Sequence, residues 1–141
     1  MSLKQNNTRA GLLAFIGLSS LVGKEGFLVE VINTSNVANI QVPNAVTDLA
    51  LYIVEKGSAA GEYSDVIPLS PNKNMRAVVK GAILPGAVLA LADPATAADQ
   101  GKVRTIPATA GTYFSPGIAE EVAADGGLVR FRPMPRLVVV P

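Results

Sequence analysis

The sequence predicts an all-β domain, a small antiparallel barrel or sandwich of short strands, and three observations carry that expectation. Val-rich runs with period-2 alternation recur along the chain and are cut at short intervals by Gly, Pro and Asp. The apolar residues are mostly small: 20 Ala and 17 Val make up more than half of them, against four Phe, three Tyr and no Trp. With 13 Gly and 10 Pro spread over 141 residues, long helices have little room. The length suits one compact domain with a real core.

The first element is the most apolar run, residues 11 to 22, preceded by Lys4 and Arg9. It ends in Gly23-Lys24-Glu25-Gly26 rather than in a small-x-small cleavage pattern, so it does not read as a signal peptide. A dozen residues also fall short of the roughly 20 that cross a bilayer as a helix, so no membrane partner is expected. Two readings stand for it. One is a strand or short helix packed on its own domain. The other, favoured here, is a docking arm over residues 1–22 ahead of a single β-rich domain over 23–141. Leu12, Leu13, Phe15, Ile16, Leu18 and Leu21 would contact the partner, because they are too apolar for a free tail while Gly11, Gly17 and Gly23 interrupt a helix.

About ten strands follow. Phe27, Val29 and Val31 alternate with a face carrying Glu30. Val37 to Val42 comes after an Asn/Ser turn and stops at Pro43. Thr47 to Val54 places Leu49, Leu51 and Ile53 on one face, and Lys56 to Gly61 reads as a loop. Residues 65–69, 75–80, 87–91 and 102–106 continue the pattern across Pro71-Asn72-Lys73-Asn74 and Leu84-Pro85-Gly86. Asp125-Gly126 marks a hairpin between 117–123 and 127–132, with Val129 and Phe131 inward and Arg130 and Arg132 outward. The last strand, 136–140, holds Leu137-Val138-Val139-Val140 between prolines. Such a β-branched run is an aggregation hazard at an open edge, so it is expected to pair within the domain or with a neighbour.

Chemistry is sparse. The chain has no Cys and no His, which removes disulfides, thiolate nucleophiles, His-based triads and the usual zinc ligand sets. Phosphate-binding and hydrolase motifs are absent as well, and no cofactor is expected. Glu120, Glu121 and Asp125 are the best acid–base candidates. On a strand, however, adjacent Glu side chains point to opposite faces and cannot act on one substrate atom. Lys80 beside Gly81 reads as a solvated strand end rather than a Schiff-base lysine. The net charge of +1 is too small for non-specific nucleic-acid binding. Charge is nonetheless uneven: residues 101–141 carry five basic and three acidic groups. Arg130, Arg132 and Arg136 are therefore either a solvated sheet face or contacts for an acidic protein surface.

The stretch Arg76 to Leu91, with Gly101-Lys102-Val103, Ala110-Gly111-Thr112-Tyr113-Phe114 and Gly117-Ile118-Ala119-Glu120-Glu121-Val122-Ala123, resembles the capsid decoration (cement) proteins of tailed bacteriophages. The resemblance covers roughly residues 75 to 132 and departs from the shortest members in the longer first half, Phe27 to Pro71. It implies a non-enzymatic virion protein on the capsid exterior, present in the host cytoplasm during assembly. The implied partner is the major capsid protein, bound at quasi-threefold sites, and the implied role is to stabilise the shell. It also implies a homotrimer, for which Leu137, Val138, Val139 and Val140 are the candidate contacts. Two alternatives from other classes are a small β-barrel binding module, which would call for more aromatics and concentrated charge, and a tail or fibre-base structural protein. A hydrolase built on Glu120 or Glu121 is a third.

Overall fold

The structure, a computed structural model, describes residues 12–141. Within them lie ten strands: β1 (Leu13–Gly17), β2 (Leu28–Thr34), β3 (Val37–Gln41), β4 (Tyr52–Lys56), β5 (Tyr63–Pro68), β6 (Met75–Val78), β7 (Leu89–Leu91), β8 (Val103–Thr105), β9 (Gly111–Ala119) and β10 (Leu128–Val140). A single 3-10 turn, Ala97–Asp99, is the helical element among the described residues. The all-β expectation holds.

The first five strands close into a barrel in the order β1-β3-β2-β4-β5. Its pairs are antiparallel except β1 with β3, and β1 with β5 completes the ring. The β2–β3 hairpin turns on two residues, Ser35 and Asn36, at φ of 51° and 65°. A two-residue loop with both φ values positive matches the right-handed twist of the flanking strands. Side-chain alternation then makes β2 and β4 walls shared by two cores. Val29 and Val54 point into the barrel with Leu21, Ile40 and Val66. Their neighbours Leu28 and Ile53 point outward into a larger core with Val79, Leu89, Phe114, Val129 and Phe131.

That second core is covered by an antiparallel sheet ordered β6-β10-β9 and by the β7–β8 pair. Gly26 fastens the two halves: its N–H donates to the Val54 carbonyl at 2.9 Å and its carbonyl accepts from Val78 N–H at 3.0 Å. β10 continues through Pro133 and Pro135 because the register shifts between Pro133 and Arg136, where the missing N–H groups would otherwise break the ladder. Opposite Pro133 stands Gly117, where a Cβ would run into the Arg132 carbonyl.

Four expectations change. Residues 13–17 are a barrel strand and Leu21 is fully buried in the barrel core, so this part of the expected arm lies within the barrel, while residues 1–11 of it lie outside the described residues. The apolar run closes a ring that would otherwise have two open edges. Residues 47–51 are not strand. Asp48 folds them into a turn by accepting from the N–H groups of Asn44 and Ala45, both at 2.9 Å, and Ala50 rather than Leu49 or Leu51 goes inside. The expected hairpin strands do pair, through Phe131 with Ala119 and Arg132 with Ile118, but β9 ends at Ala119 and residues 120–127 form a longer connection. Finally, 127–132 and 136–140 are one strand, paired with β9 along its second half.

Candidate docking surface

The solvent side of the three-stranded sheet follows from the same alternation. Val129 and Phe131 are buried, so Arg130 and Arg132 lie on the outer face of β10, as their spacing predicts. The antiparallel register sets Arg76 of β6 directly opposite Arg130. Sequence reasoning did not single out Arg76. Its alternation in Met75 to Lys80 was readable, but only the pairing of β6 with β10 shows which residue it faces.

Both glutamates reach this face, which corrects the expectation that they diverge. They lie past the end of β9, where strand alternation no longer applies. Glu120 sits 3.4 Å from the Arg132 guanidinium and Glu121 4.0 Å from that of Arg130. Glu121 also accepts the Arg130 backbone N–H at 2.9 Å, taking over the ladder where β9 has ended. Asp125 is likewise used structurally, accepting the Gly81 N–H at 2.7 Å. Each carboxylate thus has a partner that holds the fold.

Beside Arg76 opens a cleft of about 440 Å³ between the barrel and the sheet. Ile53, Glu55 and Ile67 of the β4–β5 pair line one side with Glu25 and Gly26. Asn74, Met75 and Arg76 line the other side with Leu128. Ile53, Ile67, Met75 and Leu128 supply apolar lining, and Glu25, Glu55 and Arg76 are the charged residues of the cleft.

The other predicted contact residues are scattered. Leu12 and Leu18 are exposed, Leu13, Phe15 and Ile16 are half-buried in the barrel wall, and Leu21 is inaccessible. Arg136 lies beyond the register shift and donates to the Met134 carbonyl at 3.2 Å. Along the tail, Leu137 is 54% and Val139 72% exposed, while Val138 and Val140 are half-buried. β6 pairs with β10 only as far as Phe131, so from Arg132 onward β10 has β9 on one edge and no strand on the other among the described residues. The β1 segment and the tail belong to different sheets and share no ladder.

Two titrating groups lie elsewhere. Asp99 is buried under the end of β6, where Lys102 donates to its carboxylate at 2.9 Å and Lys80 approaches to 3.4 Å. The hydrogen bond from Lys102, aided by the charges of Lys102 and Lys80, holds its pKa below the ordinary aspartate value despite burial. Lys80 thus serves an ion cluster. Glu30 moves the other way: partial burial, helped by nearby Asp48, raises its pKa although Gln41 donates to it at 2.8 Å. Among the described residues no group of three or more acidic side chains is placed to hold a metal ion, and no helix is long and apolar enough to cross a membrane.

No family model and no curated protein matches the chain. Among solved structures it is similar to the crystal structure of the head fiber gp8.5 N base in bacteriophage phi29, with a TM-score of 0.63 and 17% identity. The likeness covers 88% of this chain and 93% of that one, so it is a likeness of whole folds, the barrel and the sheets together.

Proposed function

We propose that this chain is a non-enzymatic structural protein of a phage virion that docks on the outside of the head. The observation that carries the reading is the nearly end-to-end fold likeness to a head fibre base. The geometry is in keeping with it. Glu120, Glu121 and Asp125 are engaged in ion pairs or backbone caps, and the two prominent exposed features, the arginine face and the apolar tail, are surfaces for contact rather than enclosures for chemistry.

In this reading the partner is the major capsid protein, and the chain forms a homotrimer at quasi-threefold sites that braces the shell. The exposed stripe of Leu137 and Val139 beside an open strand edge supports the self-association, because closed symmetry buries such an edge. A fibre-base role is the second reading, favoured by the structural neighbour, which is itself the base of a head fiber. Cryo-electron microscopy of purified particles tests both. Density for this chain alone at threefold or quasi-threefold sites supports a cement role, and density continuing outward into a fibre supports a base. Its absence from the head surface refutes both.

A further inference from the structure

The outer face of β6 and β10 places two arginines at directly opposed positions, and only one of them has an ion pair among the described residues. Arg76 and Arg130 are opposite one another in register, and Arg132 follows on the same face. Like charges at directly opposed cross-strand positions destabilise a sheet. Arg130 and Arg132 have Glu121 and Glu120 beside them, whereas Arg76 is exposed and has no ion pair among the described residues. The cleft lined by Ile53, Ile67, Met75 and Leu128 opens directly beside that guanidinium.

We infer that this face docks an extended segment of a partner protein, which presents a carboxylate to Arg76 and Arg130 and an apolar side chain to the adjoining cleft. A guanidinium is a planar fork that binds a carboxylate through two parallel hydrogen bonds, so one acidic side chain relieves the repulsion across the β6–β10 pair. In an extended segment, side chains two apart lie on the same side about 7 Å from each other, which lets neighbouring positions serve the arginines and the cleft. Glu25 and Glu55 on the barrel side of the cleft disfavour a second acid there, so the pattern is apolar beside acidic rather than uniformly acidic. This inference deepens the proposed virion role by naming the chemistry of the docked partner; its test uses no particles, so its failure and failure of that role are separable.

The test is fluorescence anisotropy with the purified full chain and a labelled short peptide that carries Leu and Glu two positions apart with Thr between them, so that both face the same side when the peptide is extended. The same peptide with Gln for Glu and a duplex DNA oligonucleotide are the comparison probes. Saturable binding of the Glu peptide is expected, weakening with salt and falling at least about tenfold in Arg76→Gln. The Arg76→Gln protein should melt no lower than the parent, because the substitution removes a like-charge neighbour. Unchanged binding by Arg76→Gln, equal binding of the Gln peptide, tighter binding of the DNA, or no saturable peptide binding would each overturn the inference. A lower melting temperature for Arg76→Gln would do so too, since Arg76 would then be a stabilising residue of the sheet.

Discussion

Removing residues 1–22 should unfold the barrel rather than merely weaken docking. The deletion takes away β1 and with it four paired positions on β5, Leu13 with Val66 through Ile16 with Tyr63, and two on β3. It also takes Leu21 from the barrel core, where that residue is fully buried and its N–H donates to the Ser58 carbonyl at 2.9 Å. Counting Leu21 as a fully buried side chain and Leu13 and Phe15 as half-buried ones, the lost apolar burial alone is about 5 kcal/mol. The total stability of a domain is about 5–15 kcal/mol, so little or no folded population should remain once the two freed strand edges are added. Circular dichroism and urea titration of residues 23–141 measure this directly. A finer companion is Leu21→Ala, which leaves the ladders intact and should cost about 2–5 kcal/mol by leaving a cavity. A cooperative melt of the truncated chain within a few degrees of the parent would refute the reasoning and restore the docking-arm reading of the segment.

Four other outcomes are expected from the fold. Gly57→Ala should destabilise by about 1–3 kcal/mol in urea titration, because a Cβ there runs into the Leu21 carbonyl, which backbone on both sides holds in place. Acid should loosen the Lys80–Asp99–Lys102 cluster: with the folded pKa of Asp99 held below its unfolded value, the stabilisation is complete above the unfolded value and is lost as pH falls through the folded one. Asp99→Asn should therefore flatten the acid limb of a melting-temperature profile, and an unchanged limb would place the acid sensitivity elsewhere. Glu30 has the opposite sign: its raised pKa means its stabilisation is present at low pH and lost as pH rises through the folded value, so Glu30→Gln should gain relative to the parent toward neutral pH in the same profile. Replacing exposed Leu137 and Val139 together with Asn should leave the melt nearly unchanged while abolishing any self-association seen by analytical ultracentrifugation; undiminished association would move the subunit contact off the tail.

The fold class, the strand alternation from Phe27 onward and the inward placement of Val129 and Phe131 were all legible in the sequence. They depend on a local period of two and on turn residues such as Ser35-Asn36 and Asp125-Gly126, and neither needs knowledge of a distant partner. The outward placement of Arg130 and Arg132 followed from the same period. What only the tertiary structure decided depends on register and closure. The run from Leu13 to Gly17 carries the same apolar pattern whether it lies on a neighbour or closes its own barrel, and only its pairing with β5 and β3 settles which. Leu49 and Leu51 alternate as a strand would, yet Asp48 captures two backbone N–H groups and turns the chain, a competition between side chain and ladder that periodicity does not register. Arg76 is one polar residue among several on an alternating strand until β6 meets β10, because the meeting of two like charges is a property of two residues 54 positions apart, Arg76 and Arg130, rather than of either strand alone.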